Sequence, residues 1–450
     1  MASPRPLRLG AFLFGLGHHA AAWRHPGVTP ANLFDAQFFI GLARQAEAAG
    51  FDAVFLADNV GLLGDSPEAI SWSCPVYYWE PLTLLAAIAA HTSRIGLIAT
   101  VSATYMPPYH VARKFAALDQ LSKGRAGWNL VTSASDAEAA NFGLPEQVSH
   151  AERYRRAAEH VAVVKDLWDS WADDAFVLDQ ASGRFSDPAA VRRLDHKGEF
   201  FAVRGPLQSS RPPQGRPVIV QAGSSDAGQD LAAGTADIVF TAQQSLDGAK
   251  AFARGLKDRA VAQGRSREDI LVMPGASIYV APTRAEAQAK LDALQAFVDP
   301  VASVRAYASF LDWDLTSVDI DAPPPVPRFT EGWQSRQQLA YDLAVRESLS
   351  VRQLVARLSA ARGHLVLVGT ASDIADVFEQ WRDEGAADGF NILPPTFPEG
   401  LEDFIALVLP ELRRRGLISP QAHDGTLREQ LGLARPGRQP LSPKIGEQAA

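Results

Sequence analysis

Short apolar runs alternate along the chain with longer segments in which apolar residues recur every three to four positions. That alternation is the pattern of buried strands and amphipathic helices in a parallel α/β protein. Residues 9–16 predict a first strand and residues 34–49 a helix that stops at Gly50. Residues 52–58 predict the second strand, with a helix over 81–91 after it. Strands at 95–101 and 125–132 follow, separated by a helix over 109–121. The rhythm then breaks. After a long helix at 152–171, residues 172–215 are polar, contain Gly and Pro, and keep no core periodicity, so they are expected to be an insertion. Strands resume at 217–222, 237–241 and 273–281, followed by a helix over 284–298. A second insertion is expected from 299 to about 364, with the cluster Pro323, Pro324, Pro325 and Pro327 and a helical stretch over 334–361. A helix over 371–384, an eighth strand at 389–393 and a helix over 401–415 complete the series.

Eight strand–helix units predict a single (β/α)8 barrel of the TIM type spanning residues 1–434 with the two insertions, and a Pro/Gly-rich flexible tail over 435–450. No G-x-G-x-x-G opens a helix after a strand, which argues against an open dinucleotide-binding sheet. The formal net charge of −8, from 43 basic and 51 acidic residues, disfavours a nucleic-acid partner. The single cysteine, Cys74, excludes an internal disulfide and a thiolate metal cluster. With no signal-peptide-like start and no long apolar span, the expected location is the cytoplasm and no membrane contact is expected.

Candidate chemistry gathers after the strands, where barrel active sites lie. In Gln221-Ala222-Gly223-Ser224-Ser225-Asp226 a strand ends in glycine and two hydroxyl residues just before a helix. Such a loop can hold a phosphate on its N–H groups, or can be a plain helix N-cap. In Ser149-His150-Ala151-Glu152-Arg153-Tyr154, His150 and Tyr154 share a helix face and Ser149 with Glu152 has capping-box spacing. These can reach a ligand or be ordinary surface residues. Asp58 ends the second strand in acid–base or turn position, and Thr100 lies near the end of the third. His18, His19, Trp23, His25, Trp72, Tyr77, Tyr78 and Trp79 make the first loops aromatic, as in a pocket for an organic ligand. Adjacent His18 and His19 without a carboxylate or Cys at ligand spacing make a metal site improbable, and no G-x-S-x-G elbow is present. Arg113 and Lys114 are cations for an acidic substrate or simply face solvent.

Several stretches together resemble one family: GHHAAAWRHP from Gly17, FDAVFLAD ending at Asp58, PPYHVARKFAALDQLSKGRAGWNLVTS from Pro107, NFG from Asn141 and HAERY from His150. RGPLQ from Arg204, PPQGRPVIVQAGSS ending at Ser225, AADGFNILPP from Ala386 and TLREQLGLARP from Thr426 extend the match over nearly the whole chain. The sequence is similar to the nitrilotriacetate monooxygenase/pristinamycin synthase/dibenzothiophene-sulfone monooxygenase group of the bacterial luciferase-like superfamily. VFTAQQ from Val239 and GFNILPP from Gly389 look most like its nitrilotriacetate/EDTA branch. The resemblance implies an FMNH2-dependent monooxygenase that uses O2 on a small organic substrate next to a heteroatom, with C–N or C–S cleavage. It places FMN contacts on Asp58, Thr100, His150, Tyr154 and Ser224, with Ser225 as a neighbour. It also implies a separate NAD(P)H:flavin reductase as partner and a homodimer or homotetramer. His19, from its position, or another polar group at the mouth, is the candidate for protecting the activated oxygen by hydrogen bonding. The alternatives are an F420-dependent hydride-transfer enzyme on the same barrel and a flavin-binding protein without turnover.

Overall fold

A computed structural model describes residues 5–62, 71, 79–419 and 424–441. The apolar runs form parallel strands buried on both faces, which is why they read as continuous rather than alternating hydrophobic segments. β1 (Arg8–Phe12), β2 (Ala53–Leu56), β3 (Gly96–Ser102) and β4 (Ala126–Val131) lie side by side in chain order. A two-residue antiparallel pair, β5 (His196–Lys197) and β6 (Ala202–Val203), stands outside the wall. β7 (Val218–Gln221), β8 (Ile238–Thr241), β9 (Leu271–Val280) and β11 (Gly389–Ile392) complete it, and β11 pairs with β1 to close an eight-stranded barrel. β10 (Leu365–Gly369) is a strand that the sequence reading does not contain. It pairs with the second half of β9, whose first half pairs with β8, so β9 leaves the barrel wall and extends beyond it.

The helices pack around this wall: α1 (Ala36–Ala49), α2 (Pro81–Ala89), α3 (Pro108–Leu121), the short α4 (Asp136–Asn141), α5 (His150–Trp168), α6 (Asp226–Thr235), α7 (Leu246–Ala262) and α8 (Arg284–Gln295). Their starts follow local chemistry. Asp35 caps α1, which ends at Gly50 in the left-handed conformation, and Ser149 and Ser225 cap α5 and α6. The first strand is shorter than expected. It ends at Phe12, and the chain then turns through Gly15 and Gly17, both with positive φ, because a side chain at Gly17 would strike the backbone of Pro395 and Thr396.

Between residues 299 and 364 three helices, α9 (Pro300–Leu311), α10 (Gln334–Glu347) and α11 (Val351–Ala361), enclose a small apolar core of their own around Trp313, Leu343, Leu354 and Leu358. The helical stretch expected over 334–361 is two helices, broken at Ser348 with φ 52°, and α9 was not anticipated. α12 (Ala371–Asp383) leads to β11.

Inside the barrel Phe12, Phe55, Ile98, Val220, Phe240 and Met273 fill the lumen. The N-terminal end is plugged by the short helix Leu427–Leu431, whose Leu427 occupies the space that a side chain on Gly96 would need. Arg428 of that helix reaches Asp237 with two hydrogen bonds. The first residues of the stretch expected to be a tail lie against the protein: Arg435 pairs with Asp173, and the Gln439 amide donates to Asp169. Residues 442–450 lie outside the described residues. No helix among the described residues is long and apolar enough to cross a membrane.

Candidate active site

A cleft of about 1130 Å³, counted to its open mouth, lies at the C-terminal ends of the barrel strands. One wall is the loop after β7, Ala222 to Ser225; another is the start of α5 with His150, Arg153 and Tyr154. Asp58 follows β2, and Leu130 to Ala134 span the end of β4 and the loop after it. The fourth side is the second insertion, with Trp333, Gln334, Ser335, Arg336 and Leu339 of α10 and its approach.

The loop after β7 has the form of a phosphate cradle. Gly223 lies so close to α5 and α6 that a Cβ there would stand 2.9 Å from Cα of Gly228 and 3.0 Å from the Tyr154 hydroxyl. The backbone can therefore approach a ligand and Tyr154 can share it. Ser225 caps α6 by accepting from the Gly228 amide, so the helix N-terminus points at this loop. Ser224 Oγ is 3.5 Å from the Thr241 hydroxyl. His150 and Tyr154 lie on one face of α5 with ring centroids 4.8 Å apart. The spacing i, i+4 decided that geometry, and the fold turned the shared face toward the cleft. The capping box at Ser149 is half made: its hydroxyl accepts from the Glu152 amide.

Asp58 lines the cleft with its carboxyl pushed up to about 6, chiefly by burial and further by the charges of Glu80 and Glu138, against the Asn59 amide that lowers it. Its folded pKa exceeds the unfolded value, so the native state holds the extra proton between about pH 4 and 6. Stability from this group is present on the acid side and lost as pH rises through 6. Asp58→Asn is expected to raise stability at pH 8 by about 2 kcal/mol after allowance for partial exposure, and by less at pH 5. Denaturant melts at the two pH values check this; equal gains at both would refute it.

Two site candidates stand apart from the cleft lining. Thr100 is buried in β3, where its hydroxyl accepts from Asn129 Nδ2 at 2.9 Å. His19 is buried too: its Nδ1 accepts from the Ala21 amide at 3.0 Å, which leaves the proton on Nε2, a buried atom with no partner among the described residues. Burial, and then Arg362, lowers its pKa to about 4, so the ring is neutral at physiological pH. His18 bonds the Phe12 carbonyl and stacks on Phe14, a structural role. Trp23 is largely exposed, and Trp79 donates to the Leu33 carbonyl. Trp72, Cys74, Tyr77 and Tyr78 lie outside the described residues. Arg113 and Lys114 are exposed on α3, away from the cleft.

Several lining residues were not singled out from the sequence. Arg153 is buried, donates to Gln147 and to the Glu331 carbonyl, and has no Nε partner among the described residues. Its signal was its place between His150 and Tyr154. Glu138 accepts from Ser133, Ala134 and Ser135. Gln221 Oε1 is buried without a partner at the cleft floor. The residues 333–339 carried no local signal at all. Among the described residues no three His, Cys, Asp or Glu side chains are grouped to hold a metal.

The comparisons with known proteins agree with this architecture. The profile of the luciferase-like monooxygenase family matches residues 12–388. Nitrilotriacetate monooxygenase component A of Aminobacter aminovorans is 46% identical over 97% of this chain and 98% of its own length. N-acetyl-S-(2-succino)cysteine monooxygenase of Bacillus subtilis (strain 168) is 43% identical over 96% and 98%. Among solved structures, a riboflavin lyase with modified FMN and riboflavin superposes with a TM-score of 0.87 at 33% identity, covering 95% of this chain and 96% of that one. Full-length matches at this identity, on a closed barrel whose cleft lies at the strand ends, place the chain in the luciferase-like monooxygenase family of flavin-dependent enzymes.

Proposed function

We propose that the protein is the oxygenase component of a two-component system, using FMNH2 from a separate NAD(P)H:flavin reductase and O2 to oxidise a small organic substrate beside a nitrogen or sulfur atom. The observation that carries this reading is the convergence of Gly223, Ser224, Ser225, His150 and Tyr154 on one cleft at the barrel mouth. The residues fit FMN: a cradle that a single Cβ would fill, a helix N-terminus behind it, and unpaired buried polar atoms on Arg153 and Gln221. A relative named as a component A supports the two-component arrangement.

In this reading Ser224, Ser225, Tyr154 and His150 hold the phosphate end, and Asp58 lies toward the ring. Thr100, set in the barrel wall, supports the ring side through Asn129. Leu130, Phe240, Trp333 and Leu339 provide apolar walls that keep water from the reacting centre. Reduced flavin, when bound, supplies the two electrons by which one atom of O2 enters the substrate and the other leaves as water. Hydroxylation of a carbon beside nitrogen or sulfur gives a product whose C–N or C–S bond breaks to an amine or thiol and a carbonyl compound. His19, neutral and with an unpaired Nε2–H, is the chain's candidate donor near the reacting oxygen. A dimer or tetramer in the cytoplasm is the expected working form.

The test is a product assay of the purified chain with a flavin reductase, FMN and NADH. Aminopolycarboxylates and S-alkylated cysteines are set against aromatic sulfones and alkanes. O2-dependent formation of amine or thiol is expected. Turnover with reduced F420 in the absence of O2, or flavin binding without any O2 consumption, would overturn the reading.

A further inference from the structure

We propose that Arg336, in the first turn of α10, is the carboxylate-binding residue of the cleft, so that the substrate is a small organic anion bearing at least one carboxylate. The inference rests on the cleft being the flavin-dependent active site.

Three fully buried arginines of this protein show how such a charge is balanced. Arg211 lies 3.0 Å from Asp169, and Arg428 lies 2.7 Å from Asp237. Arg125 has no such carboxylate but donates to four backbone carbonyls and to the Thr92 hydroxyl, which consumes its fork. Arg336 has neither solution. Among the described residues its hydrogen bonds are two, Nη1 to the Arg362 carbonyl at 3.0 Å and Nη2 to His364 Nε2 at 2.8 Å. The bond to His364 requires that imidazole to be neutral, with its proton on Nδ1, so the histidine offers no charge in return. The charged group that acts most directly on Arg336 is another guanidinium, Arg362, whose central carbon sits 3.7 Å over the Phe14 ring. A half-buried guanidinium beside a second cation is stabilised when an anion completes the arrangement.

Arg336 also faces the place where a ligand would lie. It lines the cleft together with Trp333, Gln334, Ser335 and Leu339, and the Phe240 ring on the same wall stacks against His364. The acids of the cleft belong to another part of it. Asp58 and Glu138 interact with one another, and Asp58 is shifted by Glu80 and Glu138, not by Arg336. The cleft thus has a carboxylate-lined part at β2 and β4, with Arg153 of α5 beside it, and a cationic part at α10 that holds no carboxylate among the described residues. The first turn of α10 contains no acid and no side-chain cap, so its N-terminal dipole adds to the same sign. Arg336 is held by backbone and imidazole, which fixes a planar donor fork matched to carboxylate geometry. The phosphate of FMN is accounted for at Gly223 to Ser225, leaving this cation for a second, separate anion.

The experiment is calorimetric titration of the full-length protein with succinate and with tricarballylate, each in FMN-free and FMN-saturated form, alongside titrations with FMN and riboflavin. Wild type is expected to bind the carboxylates saturably. Arg336→Gln is expected to weaken them roughly 10- to 100-fold, the loss of a charged hydrogen-bonded pair. FMN affinity should stay within about twofold. Ser335→Asp, which places an acid beside Arg336 at a helix N-terminus, is expected to block carboxylate binding while keeping or raising the melting temperature. That second variant decides the matter if Arg336→Gln does not fold. Three results would overturn the proposal: no saturable carboxylate binding by wild type, unchanged carboxylate affinity in both variants, or a loss confined to FMN relative to riboflavin, which would assign Arg336 to the cofactor phosphate. Failure of wild type to bind FMN would instead sink the flavin reading itself.

Discussion

Replacing Gly223 by valine is expected to weaken FMN binding by at least about 100-fold and to remove turnover with it, while the barrel remains folded. The reason is steric. A Cβ at this position already stands 2.9 Å from Cα of Gly228 and 3.0 Å from the Tyr154 hydroxyl, and the first of these is backbone that cannot swing away. The two further methyl groups of valine would occupy the space between the β7–α6 loop and α5 that the phosphate is proposed to enter. The loop connects a strand to a helix at the open face, so it can shift without disturbing the lumen packing. Flavin fluorescence quenching measures the affinity, and far-ultraviolet circular dichroism checks the fold. Wild-type affinity in a folded variant would remove the cradle from the account.

The second large effect is on stability. Asp169, at the C-terminal end of α5 and 1% exposed, accepts from Arg211 Nε at 3.0 Å, from Arg216 Nη2 at 2.5 Å and from the Gln439 amide at 3.2 Å. It ties α5, the approach to β7 and the chain after residue 435 into one cluster. Asp169→Ala leaves two largely buried guanidiniums facing a void, a change expected to cost about 3–5 kcal/mol. Arg211 keeps Asp173 as a partner, which limits the loss. Because the entropy of unfolding grows with chain length, this corresponds to a melting midpoint lower by on the order of 4 °C. Differential scanning calorimetry at matched scan rate measures it. An unchanged midpoint would show that the cluster contributes nothing net.

Much of this architecture is legible in the sequence. Strands buried on both faces appear as unbroken apolar runs, helices as a 3.6-residue stripe, and seven of the barrel connections follow from their order. The helix ends at Asp35, Gly50, Ser149 and Ser225 are set by local hydrogen bonding and by the left-handed conformation open to glycine. β10 escaped because LVLVG is five residues long beside an insertion, and its strand character depends on the overhanging half of β9 as partner. The extra helix α9 escaped because only the stretch over 334–361 of the second insertion was read as helical; its apolar face packs against α11 within the insertion's own core.

The site divides in the same way. Gly223-Ser224-Ser225 could be found from sequence, because a strand, a glycine, two hydroxyl residues and a helix start are contiguous and their chemistry is local. Thr100 and His19 were singled out by motif, but the strand pleat and the Gly15 to Gly17 turn set their side chains into the wall and under the loop, not on the cleft surface. The cation was sought at Arg113 and Lys114, where the spacing on α3 sends both to solvent. Arg336 carries no motif. What marks it is its place on the cleft with no carboxylate paired to it among the described residues, which depends on residues far away in the chain.

The sequence by itself determined the barrel, its strand order and the glycine–serine loop before α6, because hydrophobic period and helix-start chemistry act over a few residues and leave a local record. Only the tertiary structure decided which polar groups share the cleft and which buried charges go unbalanced. Burial and electrostatic pairing depend on distances across the fold, and the closing of the second insertion over the barrel mouth brought Arg336, His364 and Phe240 to the same wall.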